Sequence, residues 1–185
     1  MTYHVKTALL ALATALPTHA LADWNGAYAG FSLGSTVTNE LSGEDDGSSV
    51  TYEADPSAAL GIFSGYTVQN DDFVFGGEGV FQLAPDAEFE ISGRKITVDL
   101  DIFDLKGRVG YAVNNILFYG VAGVSRISVD EVRANGFNFG VGADYDLGNN
   151  IVIGAEYLAR RATVEEDEDD DVALDTLALR TAYRF

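Results

Sequence analysis

The chain contains no cysteine, which excludes a disulfide framework, a thiolate nucleophile and a thiolate metal site. Its two histidines, His4 and His19, both fall in a stretch that reads as a cleavable leader. His4 and Lys6 precede an apolar run from Ala8 to Leu16, then come Pro17 and the small-residue triplet Ala20-Leu21-Ala22, the pattern of a secretory signal cut before Asp23. Residues 23–185 then hold no imidazole, so histidine-based acid/base or nucleophilic chemistry is excluded and the commonest transition-metal ligand is missing. No enzymatic activity and no cofactor are expected.

Long apolar runs are also missing. Ala8–Leu16 is too short for a membrane helix, which needs about 20 apolar residues. Basic residues are scarce: 11 Lys and Arg stand against 29 Asp and Glu, and loss of Lys6 with the leader leaves ten against 29, a net charge of −19 on 163 residues. A surface so acidic repels phosphate backbones and excludes nucleic acid as a partner.

What is present is alternation. Eight runs with period two, each near ten residues, are separated in turn by long polar segments and tight turns, as in a transmembrane β-barrel. They cover Gly26–Val37, Ser57–Val68, Phe73–Leu83, Val98–Val113, Ile116–Ser128, Phe137–Leu147, Ile151–Arg161 and Asp175–Phe185. The tight turns are Gln69–Asp72, Asn114-Asn115 and Gly148–Asn150, rich in turn-forming Asn and Asp. The longer loops are Asn39–Pro56, Ala84–Thr97, Val129–Gly136 and the acidic segment near 165–171. Three short turns and four longer loops place both chain ends on the short-turn side, which requires an even strand number.

Each run has one apolar face. Phe137, Phe139, Val141, Ala143, Tyr145 and Leu147 oppose Asn138, Gly140, Gly142, Asp144 and Asp146; Phe103, Leu105, Val109 and Tyr111 oppose Asp104, Lys106, Arg108 and Gly110. The Ile116–Ser128 run is ambiguous, and the reading adopted sets Leu117, Tyr119, Val121 and Ile127 outward with Gly120, Ala122 and Arg126 inward. A soluble ligand-binding barrel would put large apolar groups inside and Lys, Glu and Thr outside. Here the less apolar face is mostly Gly, Ala and Ser with a few long charged side chains, which suits the cramped interior of eight strands. The greasy face would be a sticky patch in water and is at home in lipid. Tyr66, Tyr111, Tyr145, Tyr157 and Tyr183 are expected to form the aromatic girdle near the short turns.

The last strand carries a resemblance. Phe185 ends the chain, with Tyr183, Leu179 and Leu177 before it on one face, and this is similar to the closing strand of Gram-negative outer-membrane barrels. The resemblance implies an assembly signal at Leu179, Tyr183 and Phe185 read by the barrel-assembly machinery. Trp24–Gly30, Lys106–Ala112, Tyr119–Gly123, Gly140–Tyr145 and Gly154–Tyr157 resemble strand motifs of porin-family small surface barrels of the OmpA and OmpX type. Those barrels often carry Arg where Lys106 stands and Glu where Asp144 stands, so the inner ion pairs are expected to be spaced differently here. No wall-binding domain is expected after residue 185.

The candidate site is a lumenal charge network of Glu78, Asp104, Lys106, Arg108, Arg126, Asp144, Glu156, Arg160 and Arg180. Ions in so enclosed a space must pair. They form either a plug that fixes strand register or a polar path for ions; a carboxylate pair of Glu78 with Asp144 or Glu156 would serve hydrolysis only with a substrate cleft. The loop residues Glu165, Glu166, Asp167, Glu168, Asp169, Asp170 and Asp171 offer oxygen ligands for calcium. Counted as an EF-hand from Asp167, however, the sixth and twelfth places are Val172 and Ala178, so the specific motif fails. Such a loop otherwise bridges divalent ions to lipopolysaccharide phosphates or keeps the surface soluble. The clusters Gly76-Gly77-Glu78-Gly79 and Gly140-Val141-Gly142 complete no nucleotide motif and lead into no helix.

The expectation is therefore an all-β protein: after a signal peptide at 1–22, residues 23–185 form a single eight-stranded antiparallel up-and-down transmembrane barrel of the outer membrane. It would be a monomer with a structural and surface role whose partners are outer-membrane lipid and lipopolysaccharide. A narrow porin passing small solutes and an adhesin or host-facing antigen are the alternatives.

Overall fold

In the computed structural model, residues 22–45, 48–53, 58–91, 94–129, 132–164 and 171–185 are described. Alternating sequence becomes extended backbone throughout: β1 (Gly26–Asp45), β2 (Ser48–Glu53), β3 (Ala58–Asn70), β4 (Phe73–Ile91), β5 (Arg94–Val113), β6 (Ile116–Val129), β7 (Val132–Gly148), β8 (Ile151–Val164) and β9 (Asp171–Arg184). Every neighbouring pair is antiparallel, and β1 also pairs β9, which closes the sheet. β2 pairs only with the distal Glu40–Asp45 part of β1 and stands outside the ring. The ring is thus the eight-stranded antiparallel barrel expected from the sequence.

The expected tight turns form at 71–72, 114–115 and 149–150. Asn149 and Asn150 both take positive φ, 53° and 68°, the conformation whose twist matches a two-residue hairpin. The longer segments differ from expectation. Residues 40–45 with 48–53, 87–91 with 94–98, and 125–129 with 132–136 are paired strand, so most of the stretches read as loops are ladder instead. The ladder hydrogen bonds continue through these segments, and in one of them Ala87, Phe89 and Ile91 alternate with Glu88 and Glu90, a strand pattern inside a stretch read as loop. Residues 165–170 lie outside the described residues.

The barrel is inverted relative to a water-soluble fold. Phe31, Phe137, Phe139, Val141 and Leu179 are exposed, Phe31 at 72 % and Phe137 at 73 %, whereas Asp104 is 0 % and Arg160 2 % accessible. Only hydrocarbon surroundings stabilise that arrangement. Tyr66, Tyr111 and Tyr183 are exposed and Tyr145 half-buried beside the short turns. Tyr157 departs from them: its hydroxyl donates to Asp175 at 2.5 Å, toward the loop end.

One strand faces the other way from its sequence reading. In β6, Leu117, Tyr119, Val121 and Ile127 point into the barrel, and Phe118, Gly120, Ala122, Val124 and Arg126 point out. The inner side of β6 is apolar because it contributes to the two greasy layers described below, and Arg126 lies near the loop-end rim of the barrel, beside Asn135.

Inward glycines accommodate neighbouring chain. A Cβ on Gly123 would lie 1.9 Å from the Leu105 carbonyl oxygen, whereas one on outward Gly79 would meet nothing within 4 Å. Gly123→Ala is expected to cost about 1–3 kcal/mol. Gly79→Ala should stay within about 0.5 kcal/mol of the parent. Urea unfolding in lipid vesicles compares the two, and equal midpoints for both variants would contradict the packing described.

Candidate functional site: a paired charge network in the lumen

Eight of the nine charged residues expected in the lumen meet there, and Arg126 does not. β4 supplies Glu78; β5 supplies Asp104, Lys106 and Arg108 at successive inward positions; β7 supplies Asp144, β8 Glu156 and Arg160, and β9 Arg180. All eight are buried. Four carboxylates face four cations, so the described lumenal charge sums to zero.

The ions are arranged in tiers along β5. Nearest the short turns, Arg108 pairs with Asp144, and its guanidinium lies 3.5 Å from the Tyr119 ring centroid. Tyr119 donates to Asp144 at 3.4 Å and Tyr28 to Glu78 at 2.9 Å. In the middle tier Arg180 bridges two carboxylates: it donates to Glu156 at 2.7 Å and to Glu78 at 3.0 Å. Lys106 bridges the same pair, at 2.5 Å from Glu156 and 3.0 Å from Glu78. Toward the loops, Arg160 grips Asp104 in a fork, with Nε donating at 3.0 Å and Nη2 at 2.7 Å. Thr176 and Gln82 accept further hydrogen bonds from Arg160 at 2.8 and 2.9 Å, and Ser125 donates to Asp104 at 2.5 Å.

Ser125, Asn138, Gln82 and Thr176 were not singled out in the sequence. For Asn138, Gln82 and Thr176, inward parity on runs already carrying a charge was the available signal, whereas Ser125 was hidden by the reversed reading of β6. The fork is the geometry for which a planar guanidinium is suited. Each buried charge thereby finds an opposite one, as a space without bulk water demands.

Greasy layers bracket the ions. At the loop end lie Ala59, Leu100, Ile102, Ile127, Ala134, Ala162 and Leu174. At the short-turn end lie Trp24, Val74, Ala112, Leu117 and Val152. Trp24 is tied down by a 2.5 Å hydrogen bond from Thr67 to its carbonyl and by its backbone N–H donating to the Gln69 side-chain oxygen at 2.8 Å. Arg184 covers its ring at 5.2 Å and pairs with Asp146 at 2.6 Å. Among the described residues, cavities of about 20 Å³ interrupt this packing near Trp24 and near Gln82, each with room for about one water molecule.

The residues expected to signal assembly lie on the outer face: Leu179, Tyr183 and Phe185 are 67 %, 50 % and 76 % exposed. The rings of Tyr183 and Phe185 meet edge to face at 5.4 Å.

Residues 7–185 match the family model of the outer membrane protein beta-barrel domain. No curated protein matches the sequence. Among solved structures, the chain is similar to Neisserial surface protein A, with a TM-score of 0.51 and 15 % identity over 86 % of this chain and 99 % of that one. It is equally similar to the attachment invasion locus protein of Yersinia pestis, solved with the heparin analogue sucrose octasulfate, with a TM-score of 0.51 and 19 % identity over 86 % and 99 %. At such identities the likeness shows a shared fold.

Proposed function

Because the chain belongs to the outer membrane protein beta-barrel domain family, we propose that it is a surface barrel of the outer membrane with a structural, non-conducting role. The carrying observation is the lumen itself. Four cations and four carboxylates neutralise one another between two apolar layers, leaving cavities of about 20 Å³. A hydrated ion has no continuous polar route past side chains so placed.

The first 22 residues act as an export signal removed before Asp23, and Leu179, Tyr183 and Phe185 on the outer face present the assembly machinery with its recognition strand. The host-facing alternative draws support from the hairpins of β1 with β2 and β4 with β5, which run on as paired ladders beyond the apolar belt and can hold a surface epitope rigidly. The test of the non-conducting reading is a planar-bilayer recording of the folded chain. Flat current traces are expected. Unitary openings that vanish on Glu78→Gln or Arg108→Gln would establish a pore instead.

A further inference from the structure

Among the described residues, four buried side-chain polar atoms have no hydrogen-bond partner: Trp24 Nε1, Arg108 Nε, Arg184 Nε and Asn138 Oδ1. Three of them belong together. Trp24, Arg108 and Arg184 all line one cavity of about 20 Å³ at the short-turn end, whereas Asn138 stands in the tier toward the loops. An unmatched buried N–H is costly, so three around one small space call for a common acceptor.

Among the described residues the chain supplies none. Thr67 and Tyr28 also line the cavity, but Thr67 donates to the Trp24 carbonyl and Tyr28 to Glu78. Asp144 is the one carboxylate in the lining, and Arg108 Nη2 and Tyr119 already donate to it. Arg184 is held in turn by its terminal nitrogens, on Asp146 and on the Asp23 carbonyl. These contacts fix both guanidinium planes and leave the two Nε–H groups for something else.

The acceptor that fits is small and negatively charged. Water accepts two hydrogen bonds, and its own two protons then need acceptors, of which the lining offers only the engaged Asp144. A halide ion accepts from any direction and can serve three donors at once. Two of those donors are cationic, and their hydrogen bonds to an anion are the stronger kind. Volume sets the size, because room for about one water molecule admits a single-atom anion and excludes sulfate or phosphate. Trp24 and Arg108 are each 4 % exposed, so an ion between them sits away from bulk solvent, where salt screens its attraction to the guanidiniums least.

The geometry points to a halide-binding site, chloride in a physiological medium, formed by the side-chain N–H groups of Trp24, Arg108 and Arg184. The ion ties the segment preceding β1 to β5 and to the end of β9, and so clasps the short-turn mouth of the barrel. The inference stands on the packing of the lumen and holds whether or not the chain conducts.

Trp24 is the only tryptophan, so its fluorescence reports on the site without a label. The full folded chain in zwitterionic nanodiscs is titrated with sodium bromide against gluconate at fixed ionic strength, bromide being a heavy halide that quenches indole on contact. Saturable quenching is expected. Chloride, a much weaker quencher, should reverse it by displacing bromide, and sulfate should not. Quenching that is absent, that grows linearly with bromide, or that chloride leaves unreversed would overturn the site, and none of these comparisons needs a variant. A second readout is the temperature at which the heat-modifiable band converts to the unfolded one. Chloride in place of gluconate should raise it, because a ligand bound only to the folded state stabilises that state, and the rise should fall by roughly half or more in W24F, which keeps a ring but no N–H. An unchanged midpoint in the parent, or an undiminished rise in W24F, would contradict the proposal.

Discussion

Arg180→Met is expected to lower the unfolding free energy in lipid vesicles by about 3–5 kcal/mol, because it removes one partner of a buried ion pair and strands the other. Glu78 and Glu156 both accept from Arg180, and without it Lys106 alone would bridge the two. Methionine is of similar length, so the loss is mainly of charge rather than of packing, although contact of the guanidinium with the Phe63 ring at 4.0 Å goes too. Adding Glu156→Gln to Arg180→Met restores electrical balance and should recover part of the loss. The double variant should therefore be more stable than the sum of the single effects. Additive losses measured by urea titration would mean that the middle tier does not act as a network.

Val141→Arg is expected to cost about 2–4 kcal/mol, the penalty of a guanidinium on the lipid face near the bilayer midplane. Val141 lies in the middle of β7, 63 % exposed, opposite Gly120 and Tyr157. The same change at Leu147, beside the 149–150 turn and 48 % exposed, should cost only about 0–1 kcal/mol because the side chain reaches the interface. The depth gradient is the informative quantity. In a water-exposed barrel wall both arginines would be tolerated, and neither site would stand out.

Much of the architecture was legible because two demands act together on each spanning strand. Lipid on one side and a narrow lumen on the other force the period-two pattern of Phe137–Leu147 and of Asp175–Phe185, and the Asn-rich turns mark where each strand ends. Legibility fails where one of those demands lapses. In β6 both faces are apolar: Ile116, Phe118 and Val124 face lipid, while Leu117, Tyr119, Val121 and Ile127 fill the greasy layers inside. Arg126 then weighed the reading toward the wrong face, since a charge near the rim faces outward as readily as inward.

Beyond the bilayer the lipid demand disappears. The Ala84–Ile91 and Arg94–Thr97 segments keep their backbone ladder, and Ala87, Phe89 and Ile91 alternate there with Glu88 and Glu90, a signal masked by Pro85, Ser92 and Gly93, which read as loop. The lumenal charges were legible as residues but not as partners. Parity places Asp104 and Arg160 on one side of the wall, whereas their pairing across the barrel depends on how β5 and β8 are staggered around it, which no local pattern encodes.

The account depends on which surface meets hydrocarbon, and the absence of native cysteine permits a direct measurement. Single cysteines at Phe139, Val141 and Leu179, and at the inward sites Ser125 and Thr176, can carry nitroxide labels in the folded, bilayer-embedded chain. The account predicts strong relaxation of the three outward labels by lipid-soluble oxygen and little by a water-soluble nickel complex, with both inward labels shielded from either reagent. Outward labels relaxed chiefly by the nickel complex would contradict it.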